Sequence, residues 1–310
     1  MNDAAHDTIS VVVCCHTTKR LPLLRRALRS LEHQSHSVRE IIVVVDNNDA
    51  LYEHLASALT DIRLVANCGF PGLSGARNTG AAVATGTIVA FLDDDARVDR
   101  DWAKYLIDAY QHHDVGAVGG TVLADFEGGR PVWFPSELDW IVGCTYSGHR
   151  TEAGSVRNLI GANMSFRRQL LSRLGGFRAD LGRRRDNALG CEETELCIRA
   201  QQVCNARIWF EPRAVAYHYV PRDRTTLHYM RRRCLQEGRS KAIVAAVAGT
   251  DVALDAERSY VTRTLPLAIW REVVAFVRSA DSGAVRRATA LCFAPLATAV
   301  GYAAMRWHHR

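Results

Sequence analysis

Three consecutive acids, Asp93-Asp94-Asp95, follow directly on an apolar run at residues 87–92. Side chains alternate along an extended chain, so Asp93 and Asp95 are expected to face one side. Three crowded carboxylates repel one another, and a divalent cation relieves that repulsion. Mg2+ or Mn2+ takes oxygen ligands and bridges carboxylates to substrate phosphates. A solvated turn with a helix-capping aspartate reads the same way, so the triplet alone does not decide the chemistry. A second acidic group, Glu192, Glu193 and Glu195, opens a helical stretch at 194–203. The helix dipole favours acids in a first turn, which accounts for one or two of them without any catalytic role. His218 ends a strand-like run, where a lone histidine is more often a hydrogen-bonded strand residue than a ligand.

Upstream of the triplet, Gly72-Leu73-Ser74-Gly75-Ala76-Arg77-Asn78-Thr79-Gly80 reads as a flexible loop entering a helix of small residues. Its amides and Arg77 suit a pyrophosphate. The segment has neither the Walker lysine pattern nor the GxGxxG spacing, which argues against a P-loop enzyme or a dehydrogenase.

These residues need elements to hold them. Residues 9–15 are β-branched and apolar, as are 40–45, and both suit buried strands. A short strand is expected at 62–65 and a fourth at 87–92, with helical spacing at 21–33, 50–59 and 76–84. Alternating strands and helices predict an α/β unit with a mostly parallel sheet. Ligands of such sheets bind beyond the carboxyl ends of strands, where Asp46 and Asp93–Asp95 fall. Further on, helices are expected at 102–110 and 192–204, and strands at 116–123 and 206–219. Residues 124–157 are loop-rich, and the chain is helical beyond 224. Trp133 and Trp140 in the loop-rich part could stack on a sugar ring or pack under their own loop.

The chain has 310 residues, 48% hydrophobic and 23% charged, with a net charge of +6. That is ordinary globular composition, not disorder. Arginine clusters at 183–185, 231–233, 286–287 and 306–310 suit solvated helix faces or attraction to phosphate groups. No zinc-finger spacing or base-stacking signature points to nucleic acid. Nine scattered cysteines without a CxxC pair suit reduced, buried thiols in a cytoplasmic protein. The polar start of the chain shows no signal-peptide pattern. Residues 288–305 are nearly free of charge but contain Pro295 and Gly301, and fit a short span, a surface-lying helix or a buried one.

Taken in order, Gly75-Ala76-Arg77-Asn78-Thr79-Gly80 and Phe91-Leu92-Asp93-Asp94-Asp95 resemble the family 2 glycosyltransferases of GT-A fold. The resemblance extends back to Ser10-Val11-Val12-Val13 and Asp46. It runs forward through Gly161-Ala162-Asn163-Met164-Ser165-Phe166-Arg167, Gly175-Gly176-Phe177 and Glu192–Arg199 to His218, covering about residues 9–225.

The resemblance implies a Rossmann-like, mostly parallel sheet flanked by helices, with a helical C-terminal extension. It places a glycosyltransferase domain at 1–225, nucleotide-binding over about 1–100 and acceptor-binding over about 101–225, followed by helices at 226–310. It implies an inverting transfer from a nucleoside-diphosphate sugar, commonly a UDP-sugar, to a hydroxyl of a glycan or lipid-linked acceptor. Donor contacts fall on Thr17, Arg20, Asp46, Gly75, Arg77, Asn78, Asp93 and Asp94. Mg2+ or Mn2+ falls to Asp95, Asp93 and His218. Glu193 stands where the family usually has the Asp of a Glu-Asp pair, the catalytic base, with Glu192 as the fallback. Asn163, Trp133 and Trp140 are candidate acceptor contacts. The expected setting is cytoplasmic, at the cytoplasmic membrane face if the C-terminal region makes a peripheral membrane contact. A sugar nucleotidyltransferase and a non-catalytic glycosyltransferase-like binding protein are the alternatives. The first usually carries a Gly-rich loop after its first strand, where this chain has His16-Thr17-Thr18-Lys19-Arg20.

Overall fold

The computed structural model describes residues 7–111, 114–183 and 189–308. Residues 1–6, Arg184, Arg185, His309 and Arg310, which figured in the reading of the termini and basic clusters, lie outside the described residues. The chain forms two compact units. One lies within Met1–Leu123, Thr151–Asn187 and Glu192–His218, the other within Ala124–Arg150, Ala188–Cys191 and Tyr219–Arg310. The second unit therefore recruits the loop-rich 124–150 as well as the C-terminal helices, rather than beginning at 226.

The first unit opens with β1 (Ile9–Cys15), α1 (Leu21–Glu32), β2 (Glu40–Val45), α2 (Asp49–Ala58), β3 (Arg63–Ala66), α3 (Leu73–Val83) and β4 (Ile88–Asp93). Strands β3, β2, β1 and β4 pair in parallel in that order. Both faces of this sheet are covered, which is why β1 and β2 read as continuous apolar runs rather than alternating ones. Val11 and Val13 enter the core shared with α1 and α4, and Val12 enters the opposite core with α3, α5 and α6. Helix α4 is Trp102–Ala109, α5 is Arg168–Leu174 and α6 is Glu192–Cys204. On α1, Leu24, Leu28 and Leu31 are buried at helical spacing. Asn48 caps α2 by accepting a 3.0 Å bond from the Leu51 amide.

The sheet then turns antiparallel. β5 (Ala96–Val98), β6 (Val115–Phe126), β7 (Gly154–Ser155), β8 (Asn163–Arg167) and β9 (Arg207–Val220) complete nine strands. The order is β3-β2-β1-β4-β8-β6-β9-β5, with β7 paired to β9. Of these strands, β5, β7 and β8 had no place in the strand-by-strand expectation. β5 and β7 are too short to carry a periodic signal and exist through pairing with β9.

In the second unit, α7 (Leu227–Ala248), α8 (Thr250–Ser259), α9 (Leu265–Ser279) and α10 (Ser282–His308) follow one another. A π-helical turn at Tyr260–Thr264 joins α8 to α9. Helices α7 and α10 cross closely. A Cβ on Gly238 would stand 1.9 Å from the Thr298 carbonyl oxygen, and one on Gly301 would stand 2.1 Å from that of Leu235. Only glycine permits that approach.

Candidate active site

The parallel register brings the site to one edge of the sheet. Cys14 pairs with Asp93, and Cys15 pairs with Val45, so Asp46 and Asp93 leave the carboxyl ends of neighbouring strands. Asp94 and Asp95 occupy a turn between β4 and β5, not the extended segment the sequence suggested. The turn still brings Asp93 and Asp95 together. β5 then pairs Ala96 with His218 on β9, which carries the imidazole in from a strand more than a hundred residues away. Ligand atoms of Asp93, Asp95 and His218 all lie within 4.8 Å of one another. His218 Nε2 is 3.1 Å from Asp95 Oδ1. Two carboxylates and an imidazole in this geometry suit Mg2+ or, with its tolerance for nitrogen, Mn2+.

The charges around the cluster fit a cation as well. Arg20 reaches across to Asp94 at 2.8 Å and to Asp95 at 3.2 Å. Burial alone would lower the Arg20 guanidinium, but Asp95 and Asp94 outweigh it and hold it charged. Asp94 Oδ2 is buried with no hydrogen-bond partner, so acceptors outnumber donors at this turn. Burial is the main cause that raises Asp94 to about 7, against the pull of Arg20. Burying Asp94 and Asp95 beside a third acid is costly unless positive charge meets them. The residues present therefore fit a divalent ion.

Arg77 ties this cluster to α6. Its guanidinium is 2.7 Å from Glu192 Oε1 and 3.2 Å from Asp93 Oδ1, and donates at 3.0 Å to the Gly161 carbonyl. It is 2% exposed and sits 5.5 Å from the Phe177 ring centroid. Burial would lower it, yet Glu192 and Asp93 more than compensate. Arg77 was expected to grip a diphosphate. The structure buries it as an internal bridge between two acids. Glu192 is buried in that bridge, while Glu193, next along, is half-buried and accepts a 3.3 Å bond from the Thr194 hydroxyl. Glu195 pairs with Arg199 at 2.8 Å, and Arg199 also donates to the Gly176 carbonyl at 2.8 Å, so Glu195 serves the helix.

The remaining expected residues separate by what they touch. Asp46 accepts from Asn67 Nδ2 at 2.6 Å and from the Gly72 amide at 3.0 Å, tying the loop before α3 to the end of β2. Asn67 also accepts from the Gly69 amide and the Thr79 hydroxyl. The sequence reading passed over Asn67, although it stands just past the end of β3 as Asp46 does past β2. Thr17 accepts from the Lys19 amide at 3.3 Å and caps a single 3-10 turn. Gly75 serves close packing, since a Cβ there would meet the Phe70 carbonyl oxygen at 1.8 Å. The Asn78 amide is engaged on both sides with the Phe177 backbone at 2.8 Å, which makes it a clamp between segments rather than a free donor contact. Asn163 is completely buried. It accepts from Trp102 Nε1 at 2.8 Å and donates to the carbonyls of Ala214 and Thr121, so it binds strands together. Trp133 and Trp140 lie in the second unit. There Trp133 packs edge-on against Phe134, and Trp140 donates to the Tyr260 hydroxyl at 3.3 Å. Cys14 lies beside Asp93, and burial pushes its thiol up, so it supplies no thiolate.

A nine-stranded sheet with acids at its carboxyl edge and a carboxylate-opened helix beside them defines a glycosyltransferase of GT-A fold. The profile of Glycosyl transferase family 2 matches residues 10–175, and the chain belongs to that family. It is 32% identical over 240 residues to the glucosyl-dolichyl phosphate glucuronosyltransferase of Haloferax volcanii, covering 76% of this chain and 77% of the relative. It is 30% identical over 248 residues to the succinoglycan biosynthesis protein ExoM of Rhizobium meliloti, covering 77% and 75%. Among solved structures, the Pyrobaculum calidifontis mannosyltransferase PcManGT in complex with GDP-Man and Mn2+ superposes with a TM-score of 0.60 at 20% identity, covering 97% of this chain and 88% of that one. GalNAc-T7 with UDP, GalNAc and Mn2+ gives a TM-score of 0.54 at 19% identity over 70% of this chain, which spans 45% of that one.

Proposed function

We propose that the protein is an inverting glycosyltransferase that moves a sugar from a nucleoside diphosphate, most simply UDP, to a hydroxyl of a glycan or lipid-linked acceptor. The observation that carries this reading is the Arg77 bridge, one guanidinium contacting Asp93 of the ion-binding cluster and Glu192 beside Glu193. It supports reading the cation site and the start of α6, with its carboxylates, as one reaction centre. Asp93, Asp95 and His218 would hold Mg2+ or Mn2+, which would supply Lewis-acid stabilisation of negative charge on a diphosphate. Glu193 is the base. Its carboxylate takes the acceptor hydroxyl proton as that oxygen bonds to the anomeric carbon, and the bond from that carbon to the diphosphate breaks on the opposite face. The nucleoside diphosphate leaves with the bonding electrons. Arg77 fixes the start of α6, and Asp46 with Asn67 shapes the loop that meets the nucleoside.

The Haloferax relative carries a dolichyl phosphate in its name, which favours a lipid-linked acceptor and work at a membrane surface. Helix α10 contains, within Ser282–Trp307, an 18-residue window of mean hydropathy 1.5, in keeping with that setting.

A panel of nucleotide-sugars with Mn2+, scored for release of nucleoside diphosphate, tests the reading. One donor should release nucleoside diphosphate slowly by hydrolysis, and rapidly by transfer once a lipid-linked glycan acceptor is added. A chain that turns over no donor, or that makes nucleotide-sugar from sugar 1-phosphate and nucleoside triphosphate, is not the proposed enzyme.

A further inference from the structure

Helices α9 and α10 leave their apolar residues open. On α9, Leu267, Trp270 and Val277 are 70%, 66% and 77% exposed. On α10, Val285, Phe293, Leu296, Val300 and Trp307 are exposed at spacings that keep them on one broad face. Between the helices runs an open groove of about 510 Å3, lined by Val273, Phe276, Val285, Cys292, Phe293 and Leu296. Monomeric soluble proteins seldom leave an apolar surface of this extent uncovered.

Charge says what covers it. From residue 261 to 307 the chain has six arginines and only two acids, Glu272 and Asp281. Both acids are paired, Glu272 with Arg271 and Arg287 at 2.7 Å each, and Asp281 with Arg287 at 2.8 Å. Arg263, Arg278, Arg286 and Arg306 stand exposed beside the apolar face. An apolar face with a cationic border matches an anionic bilayer surface.

The packing of α10 fixes how it meets that bilayer. By length and composition the helix could cross a membrane. Its other face, carrying Leu291, Ala294, Ala297 and Gly301, is buried. Close contacts of Gly238 with Thr298 and of Gly301 with Leu235 run α7 antiparallel alongside it. The adjoining part of α7 carries Arg231, Arg232, Arg233, Glu237, Arg239 and Lys241. A crossing α10 would drag that charged helix into hydrocarbon, where each unneutralised charge is costly.

We propose that α9 and α10 form one interfacial hairpin that lies in the surface of an anionic bilayer without crossing it, with a lipid acyl chain in the groove between them. The proposal rests on the membrane setting above and gives it a surface and a depth. Cys292 reports on it, because Cys292 and Cys68 are the only exposed cysteines of the nine.

The full chain with Cys68→Ser, labelled at Cys292 with bimane, is mixed with phosphatidylcholine vesicles with and without phosphatidylglycerol. Sedimentation with the anionic vesicles only, a blue-shifted bimane, and stronger quenching by 5-doxyl than by 12-doxyl lipid are expected. Trp270→Glu with Leu296→Glu should weaken vesicle affinity about tenfold or more while the circular dichroism spectrum and donor hydrolysis persist. Absence from vesicles, stronger quenching by the deep probe, or burial of the bimane by self-association in lipid-free buffer overturns the proposal. None of these readouts uses sugar transfer, so a failed transfer assay leaves the docking result standing, and the reverse holds too.

Discussion

Two adjacent glutamates open α6, and their surroundings assign them different work. Glu192 is buried against Arg77 at 2.7 Å, so a proton taken there would break an internal ion pair. Glu193 is half-buried and accepts from the Thr194 hydroxyl. Glu193→Gln keeps shape and removes basicity. It should lower turnover by about two to four decades while leaving the donor dissociation constant within a few-fold, since general-base help is of that size. Steady-state kinetics beside calorimetric donor titration reads both numbers, and near-full activity would return the role of base to another group. Arg77→Met tests the bridge. It strands Asp93 and Glu192 without their cation, and breaking a buried pair in this way costs about 3–5 kcal/mol. A thermal melt should fall by many degrees or the protein should become insoluble, with Arg77→Lys intermediate because a point charge cannot span both acids. An unchanged melting temperature for Arg77→Met would show that the bridge contributes nothing.

At the scale of elements, the α7–α10 crossing makes a prediction of unusual sign. Gly→Ala inside an exposed helix stabilises by about 1 kcal/mol. Gly238→Ala should instead destabilise, because its Cβ would stand 1.9 Å from a backbone oxygen that cannot move aside cheaply. Denaturant unfolding measures the sign directly. The same helix carries an acid-sensitive pair. Burial would raise Glu237, but ion pairs to Arg233 at 2.8 Å and Lys241 at 3.1 Å overcome it and hold the carboxyl at about 2. The folded state thus binds its proton later than the unfolded chain does. The stability from ionised Glu237 is complete above about pH 4.5 and is lost as pH falls toward 2. Glu237→Gln should flatten the acid limb of stability in that window, as followed by far-ultraviolet circular dichroism. Elements of this kind differed in how readily the sequence disclosed them. β1, β2 and β4 were legible because both their faces are covered and all but one position in each is apolar. Three-residue β5 and two-residue β7 have no period to read, and only distant pairing with β9 creates them. The site followed the same division. Asp93, Asp95 and His218 could be named from residue type and resemblance, yet their meeting depends on the turn at Asp94 and the pairing of Ala96 with His218. The bridging by Arg77 and Asn78 was not legible, because nothing local discloses that Glu192 and Phe177, about a hundred residues on, engage their polar atoms.

Over the whole molecule, charge is unevenly placed. The chain carries +6, yet from residue 224 onward fourteen Lys and Arg face only six Asp and Glu, so the first 223 residues are slightly negative. The late surplus accompanies the exposed apolar faces of α9 and α10, and the two features act on a bilayer through different physics. Apolar burial is almost indifferent to salt, whereas attraction between exposed arginines and anionic headgroups reaches only a Debye length, about 10 Å at 0.1 M and about 3 Å at 1 M salt. Each basic residue near such a surface contributes about 1 kcal/mol at physiological ionic strength. Affinity for phosphatidylglycerol-containing vesicles should therefore fall by about tenfold or more as salt rises from about 0.1 M to about 1 M, leaving a residue of apolar binding that salt does not touch. Arg278→Ser with Arg286→Ser, both exposed, should shrink the salt-dependent part and leave the remainder. Trp270→Ala should do the reverse, shrinking the remainder and leaving the salt-dependent part. Co-sedimentation across a salt series separates the two, and an affinity unaffected by salt would mean that the arginine surplus has no part in holding the protein at a membrane.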